Sequence, residues 1–480
     1  MAKKSEKISG KNRRQNFLKN WSRGAKVLAL TSVGIMLVSL DISIVNVAFG
    51  SFVAEWPESR RTLTWIFSAY NIAYAAGLLT AGRLADAFGR KRAFLSGLMI
   101  FMLGSILCAA SPTAIFMVIA RIIQAIGGAI LTPSSLALVL PEFAVEKRSA
   151  AIGVWGAVGG LSAASGPIIG GVMVDNFGWS SIFLVNVPFC LLAFAIGTKL
   201  LRESRDETAP RTVDYFGALV AVFGVGLLTL MIVQSDKWGW VSNRSLVIFV
   251  ISFLLIGAFI WRCNKVAHPV LDLRLFKLPF VTAAAIGGFA FSMGFFAMIF
   301  INTQWLQVVW GYSPSLSGLA GSPGPLAAAI VAAPAGKLAN RFGHGKVVAA
   351  GALTMSIGIS WMNYFISPEI HYWDFYFPTM VFIGIGVGLC ISTISSSATA
   401  FLPQPRFAMG SALNNTARQV GAALGIALVS SMLVATTKTD DPTGGFHSAW
   451  LLMSGVILLS GLAMLTLFRR PTTEQLAQAT

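Results

Sequence analysis

From residue 27 almost to the C-terminus, apolar runs long enough to cross a bilayer follow one another between short polar loops. A hydrocarbon core about 30 Å thick is spanned by about 20 helical residues at a rise of 1.5 Å each. Inside that core the backbone must satisfy its own hydrogen bonds, so such runs form helices. Of the 480 residues 55% are hydrophobic and 11% charged, which fits one bilayer-embedded unit better than several soluble domains. Spans begin near Val27, Leu63, Ala93, Thr113, Ala150, Ser181, Val213, Ser245, Phe280, Ser315, Val347, Phe375, Ala408 and Ala449. The expected fold class is an all-α polytopic membrane protein of about fourteen helices, with the spans after Val213 and Ser315 interrupted by Gly and Pro.

A net charge of +17 raises the question of a nucleic-acid partner, but the basic residues are not gathered on one face or tail. They follow alternate loops: residues 3–26, 83–92, 147–148, 199–211, 262–277 and 337–346. The intervening loops hold only Arg60, Arg61, Lys237, Arg244 and Lys438. The positive-inside rule then puts both termini in the cytoplasm and makes the number of spans even. Cys108, Cys190, Cys263 and Cys390 fall within or at the ends of spans without metal-ligand spacing, so neither a disulfide framework nor a metal site is expected. The basic N-terminus lacks a small-residue cleavage site after its apolar run and reads as retained.

An internal repeat organises the chain. Ala81-Gly82-Arg83-Leu84-Ala85-Asp86-Ala87-Phe88-Gly89 returns as Ala335-Gly336-Lys337-Leu338-Ala339-Asn340-Arg341-Phe342-Gly343. The copies join spans two and three and spans ten and eleven, so the halves come into register only with two extra spans between them. The expected division is a basic tail (1–25), a six-helix bundle (26–202), two inserted helices with their connections (203–275), a second six-helix bundle (276–470) and a short tail (471–480).

Asp41 is an acid in the middle of the first span, where a charge marks a functional position by default. The first span runs outward, which puts Asp41 about 9 Å from the outer edge at 1.5 Å per residue. Arg121, the basic residue of the fourth span, enters from the outside and lies about 12 Å below that edge. The two are therefore expected to share one polar cavity. Burial favours the neutral form of a carboxylate and a neighbouring guanidinium favours the charged form, so the balance can shift as access to the cavity changes. That describes a proton carrier; the alternative is a static Asp41–Arg121 pair that fixes helix packing.

Four segments carry a resemblance. Gly82-Arg83-Leu84-Ala85-Asp86-Ala87-Phe88-Gly89-Arg90-Lys91-Arg92 looks like the loop signature of the major facilitator superfamily. Leu40-Asp41-Ile42-Ser43-Ile44-Val45-Asn46-Val47-Ala48 is similar to the first-helix signature of its fourteen-helix drug:proton antiporters. Arg121-Ile122-Ile123-Gln124-Ala125-Ile126-Gly127-Gly128-Ala129 resembles the fourth-helix motif, with Ala125 where the family usually has Gly. Gly166-Pro167-Ile168-Ile169-Gly170-Gly171 resembles the antiporter motif of the fifth helix. The resemblance implies two bundles rocking about a central cavity, held together on the cytoplasmic side of the outward-open state by a gate of Gly82, Arg83, Asp86, Gly89 and Arg90, with Gly336, Asn340, Arg341 and Gly343 as its second copy.

The residues add their own limits. Asp86 can accept hydrogen bonds from Arg90 or from a helix N-terminus, and the glycines before Pro167 give the fifth span a bare face suited to close packing and a kink. Apart from Asp41 and Arg121, candidate cavity residues are Tyr70, Asn71, Gln124, Trp155, Asn302, Trp305, Gln307, Asn414 and Arg418, a mixture of aromatic faces and polar groups typical of small-molecule pockets. The tenth span, residues 315–337, lacks the acid that the resemblance associates with dicationic drugs, leaving lipophilic monocations, neutral molecules and weak anions.

The resulting expectation is a proton-coupled antiporter that exports hydrophobic drug-like molecules across a bacterial inner membrane. It is expected to be monomeric, powered by the proton gradient without a cofactor, not an enzyme, and open to an accessory membrane-fusion partner. Its rivals are a transporter of the same fold for a physiological lipid or metabolite, and a transport-inactive receptor or scaffold. No phosphate-binding loop and no nucleophile constellation support ATP-driven transport or covalent chemistry.

Overall fold

The computed structural model describes residues 21–204, 214–266, 269, 271–402, 407–436, 443–469 and 471–472, and within the helices the side chains of Arg83 and Asp86, among others, lie outside that description. Val213, the expected start of the seventh span, also lies outside it. Every long element among the described residues is a helix. In chain order these are α1 (Arg23–Val47), α2 (Arg60–Phe88), α3 (Arg90–Ala109), α4 (Ala114–Val139), α5 (Val145–Phe177), α6 (Asn186–Leu200) and α7 (Tyr215–Trp238). There follow α8 (Asn243–Lys265), α9 (Pro279–Gln304), α10 (Pro323–Phe342), α11 (His344–Phe365), α12 (Phe377–Ser397), α13 (Phe407–Thr436) and α14 (Gly444–Leu467).

Twelve helical spans among the described residues are long and apolar enough to cross a membrane, and the chain is a multi-pass membrane protein. The other two long helices, α2 and α5, have 29 and 33 residues and pack between the rest. The break expected in the tenth span falls at Ser322, between a short helix Pro314–Gly321 and α10. Pro323 sits in the first turn of α10, where its missing N–H leaves no bond unmade. Pro167, by contrast, lies inside α5, and the helix continues through it to Phe177.

The sequence repeat is a repeat of backbone and of packing. Gly89 ends α2 with φ +119° and Gly343 ends α10 with φ +93°, so each glycine supplies a left-handed joint that lets the next helix start at once. Among the first six helices α1 packs on α4, α5 and α6, α2 packs on α4, and α3 packs on α4 and α6. Eight helices later the same pairs recur: α9 with α12, α13 and α14, α10 with α12, and α11 with α12 and α14. Helices α7 and α8 stand outside this pattern. The first rests on α2 and α13, with Ser235 and Ser431 hydroxyls 3.0 Å apart, and α8 packs chiefly on α7. Most of α8, including Leu246, Phe253, Leu254 and Trp261, is left exposed as a lipid-facing surface.

The two sets of six meet mainly through α2 against α13 and through α5 against α10 and its preceding short helix. At the end of the molecule away from the Arg90–Arg92 loop, one apolar core crosses between them, with Phe49 and Phe67 edge-on to Phe300 at 5.1 and 5.6 Å. There too Gln307 Nε2 donates to the Val47 carbonyl at 2.9 Å, and the Ser315 N–H donates to Asp175 at 3.0 Å. Deeper in, Ser68 and Thr416 hydroxyls donate to the Ala423 and Ala75 carbonyls across the α2–α13 seam. Toward the basic end the core divides in two: one cluster from the first set around Phe94, Leu98 and Leu131, another from the second around Leu275, Phe280 and Leu413. Among the described residues, buried apolar packing joins the two sets at one end and is separate for each at the other.

Candidate functional site

Five helices converge on Asp41. Its Oδ2 accepts from Arg121 Nη1 at 2.5 Å, and its Oδ1 accepts from Gln124 Nε2 at 2.8 Å and from Asn186 Nδ2 at 3.4 Å. Both amides also donate to Ser105 Oγ, at 2.8 and 3.3 Å, which ties α3 to the cluster. Arg121 Nη1 is shared with Gln124 Oε1 at 2.6 Å, Arg121 Nε donates to the Ile66 carbonyl at 3.2 Å, and the Tyr70 ring lies 4.0 Å beneath the guanidinium. Side-chain exposure is 0% for Asp41 and 1% for Arg121, so the pair is sealed from both lipid and water in this state. Arg121 and Gln124 are three residues apart on one helix face, which lets both reach the same carboxylate.

A buried ion pair is costly unless its remaining donors and acceptors are met. Here every Asp41 oxygen is engaged, and the guanidinium keeps three further contacts that do not depend on Asp41. Protonating Asp41 would thus leave Arg121 with an aromatic face, an amide oxygen and a backbone carbonyl. The arrangement can hold a proton at Asp41 without stranding the cation.

Around this cluster α1 and α5 are pressed together by the fifth-helix motif. A side chain at Gly166 would collide with Ser43, and one at Gly170 would collide with Ile44 at 2.6 Å. Gly171 faces the backbone of Pro314 and Ser315, and the Pro167 carbonyl lies against Gly318, so the motif also forms the α5 side of the closed end. Ser43 is two residues from Asp41, which makes the α1–α5 spacing a determinant of where the carboxylate sits.

The other sequence candidates divide. Tyr70 stacks on Tyr74 with ring centres 6.0 Å apart, Tyr74 bonds Thr132 at 2.8 Å, and buried Asn71 lies beside them on α2. Across the seam on α13, Arg418 Nε donates to Ser292 Oγ at 3.2 Å and its Nη1 to Ser395 Oγ at 3.4 Å. Asn414, one turn earlier, is buried, and among the described residues its Oδ1, the Tyr70 hydroxyl and Asn71 Oδ1 have no hydrogen-bond partner. Trp155 Nε1 donates to Ser135 Oγ at 3.0 Å, linking α5 to α4.

Four expected cavity residues lie elsewhere. Gln124 belongs to the Asp41 cluster. Asn302 accepts from Trp450 Nε1 at 2.8 Å, and Trp305 packs 5.2 Å from both Phe446 and Trp450 in the α9–α14 core. Gln307 seals the closed end against α1. Hydropathy finds a span but does not fix the rotation of its helix, and amide and indole groups that satisfy one another can be buried away from any cavity. A crevice of about 410 Å³ between α11 and α14, lined by Leu353, Trp361 and Leu458 among others, contains none of the candidates.

At the basic end the loop motif acts through a residue the motif does not include. Glu203, just beyond α6, accepts from the Lys91 N–H at 3.1 Å and the Arg92 N–H at 3.3 Å, while the Arg90 N–H donates to the Ser204 carbonyl at 2.9 Å. The carboxylate therefore caps the positive end of α3, the place the sequence offers to Asp86. A Cβ on Gly89 would lie 2.6 Å from Glu203 Oε1, so the glycine leaves room for this cap. In the second copy, Asn340, Arg341 and Gly343 are exposed, Gly336 has open space beside it, and Arg341 lies 5.1 Å over its neighbour Phe342. The Arg83 and Asp86 side chains lie outside the described ones. Ser105, Asn186, Tyr74 and Glu203 escaped sequence reasoning; polar residues inside apolar spans are the signal that marks the first two.

Comparison with known proteins agrees with this architecture. The family profile described as Major Facilitator Superfamily matches residues 31–268 and 284–480. The chain is 32% identical over 412 residues to the multidrug resistance protein Stp of Mycobacterium tuberculosis, covering 85% of this chain and 75% of that protein. It is 30% identical over 442 residues to a methylenomycin A resistance protein of Bacillus subtilis, covering 92% and 94%. A tetracenomycin C resistance and export protein of Streptomyces glaucescens is 30% identical over 411 residues, covering 85% and 76%. With its repeated six-helix packing and a matched profile over most of its length, the chain belongs to the major facilitator superfamily.

Proposed function

We propose that this protein is a proton-coupled antiporter of the fourteen-helix drug-export branch, extruding lipophilic small molecules through a bacterial inner membrane. The observation that carries the reading is the sealed Asp41–Arg121–Gln124–Asn186 cluster: one carboxylate, deep in the first bundle, with a cation that keeps other partners when the carboxylate is neutral. The names of three relatives, which speak of drug resistance and export, favour this substrate class. In this reading α2 and α5 complete fourteen crossings, residues 26–202 and 276–470 are the moving bundles, and residues 203–275 carry the insert. The basic end faces the cytoplasm with both termini, so the described state is open inward and closed outward.

The cycle follows from that geometry. Substrate enters between the parted basic ends and lies against α2 and α13. A proton taken up from outside in the opposite state neutralises Asp41 and loosens its hold on Arg121, whose Tyr70 contact lies on α2, the helix at the bundle seam. Release of that proton inward restores the pair. The α1–α5 contact at Gly166 and Gly170 transmits the change to the closed end, where Gly171 and Gly318 meet the opposing backbone.

Inside-out membrane vesicles with an imposed pH gradient and a lipophilic fluorescent dye, chosen from anionic, neutral and cationic candidates, test this. Wild type should accumulate the dye only while the gradient stands, and Asp41→Asn should lose gradient-driven accumulation while inserting normally. Accumulation by both proteins without a gradient would refute proton antiport.

A further inference from the structure

We infer that Arg418 forms an anion-recognition point at the bundle seam, and that the protein selects lipophilic molecules carrying one negative charge. This names the substrate class of the site proposed above and rests on that reading for the direction of transport, though not for binding.

The acidic residues between 279 and 472 are Glu369, Asp374, Asp440 and Asp441; none falls within the ranges of α9–α14, and Asp374 lies in the turn Tyr372–Tyr376 that leads into α12. Arg418 lies about 17 Å along α13 from its start, at 1.5 Å per residue, near the middle of the membrane. In the first bundle the deep charges cancel, since Arg121 is paired with Asp41. Arg418 therefore contributes an uncompensated positive charge, and no carboxylate lies within ion-pair reach of it among the described residues.

Local geometry shows that the cation is held rather than satisfied. Its stem packs against Gly288 of α9, and its hydrogen-bond partners among the described residues are two neutral hydroxyls, Ser292 and Ser395, at 3.2 and 3.4 Å. Ser395 is itself exposed, which places that edge of the guanidinium at an open surface. A guanidinium has five donors in a planar fork that suits carboxylate or sulfonate oxygens. Tyr74 is near enough across the seam to feel this charge, but its hydroxyl is already engaged by Thr132. Near Arg418 on the same helix, buried Asn414 Oδ1 has no partner among the described residues, giving a ligand a further polar anchor.

Among the described residues no intramembrane acid faces this seam, which argues against a dication, and the cation itself repels any positive ligand. A monoanion brings the sum of the charges on Asp41, Arg121 and Arg418 to zero when Asp41 is ionised. An inside-negative potential also favours its exit, so export of such a molecule gains from the membrane voltage as well as from the proton gradient.

A matched pair of probes tests the inference: anilinonaphthalene sulfonate and N-phenylnaphthylamine, which differ by the sulfonate, with ethidium as the cationic counterpart. Binding is measured on the full-length protein in lipid nanodiscs, for wild type, Arg418→Gln and Arg418→Lys. The expected result is saturable binding of the sulfonate by wild type, weakened at least about tenfold in Arg418→Gln and partly restored in Arg418→Lys. Binding of the neutral probe should change little. Thermal unfolding of each variant separates lost recognition from lost fold, and Arg418→Lys keeps the charge if Arg418→Gln unfolds. Equal loss for charged and neutral probes, tighter binding of ethidium than of the sulfonate, or no Arg418-dependent sulfonate binding overturns the inference. Arg418-dependent binding without gradient-driven transport would sustain it while sinking the antiport reading.

Discussion

Replacing Asp41 by Asn and Arg121 by Gln, singly and together, separates a paired cluster from two independent polar residues. In Asp41→Asn the guanidinium stays buried but keeps Gln124 Oε1 at 2.6 Å, the Ile66 carbonyl at 3.2 Å and the Tyr70 ring at 4.0 Å. The loss should fall at the low end of that for breaking a buried pair, about 3 kcal/mol. Arg121→Gln leaves a carboxylate held by two amides, at 2.8 and 3.4 Å, and removes one of the largest fully buried side chains. Its cost should reach the upper end, about 5 kcal/mol. The double variant buries no charge and loses only hydrogen bonds and packing, about 2 kcal/mol. It should be more stable than either single variant, by about 1 and about 3 kcal/mol, a non-additivity expected of residues in direct contact. Unfolding by a denaturing detergent in mixed micelles gives the ranking. Costs that simply add in the double variant would refute the pairing argument.

Three further outcomes follow. Gly166→Val should drive Ser43 and α1 away from α5, lowering stability by about 1–3 kcal/mol and transport by more than stability alone explains; unchanged dye transport would contradict this. A Cys pair at Gly50 and Gln307, whose positions face each other at the closed end, should cross-link and halt transport until reduced, whereas full transport while cross-linked would show that this end need not open. Glu203→Gln should loosen the α3 start by about 0.5–1 kcal/mol and speed amide exchange at Lys91 and Arg92, and unaltered exchange there would remove the capping role.

Spans, repeat and the Asp41–Arg121 partnership were legible because each rests on a one-dimensional quantity: run length, spacing, or depth counted at a fixed rise per residue. Two opposite charges at similar depth in otherwise apolar helices have few other partners. What closes the cluster was not legible. Gln124 faces Asp41 rather than a cavity, and Asn186 and Ser105 complete it, because the azimuth of each helix is set by tertiary packing that a span-level pattern does not encode. Asn302 and Trp305 show the reverse case, polar atoms buried because α14 supplies Trp450 as partner. The Glu203 cap depends on the chain leaving α6 beside the start of α3, a contact over more than a hundred residues that the loop motif alone cannot announce.

Proton exchange at Asp41 can be read without transport. Purified wild type and Asp41→Asn, in weakly buffered detergent solution with a pH-indicator dye, are mixed with a transported substrate over a pH series. Wild type should release protons on binding at pH values where Asp41 is protonated, and Asp41→Asn should bind with no release. Identical release from both proteins, or substrate binding by wild type without proton release at any pH, would contradict the mechanism.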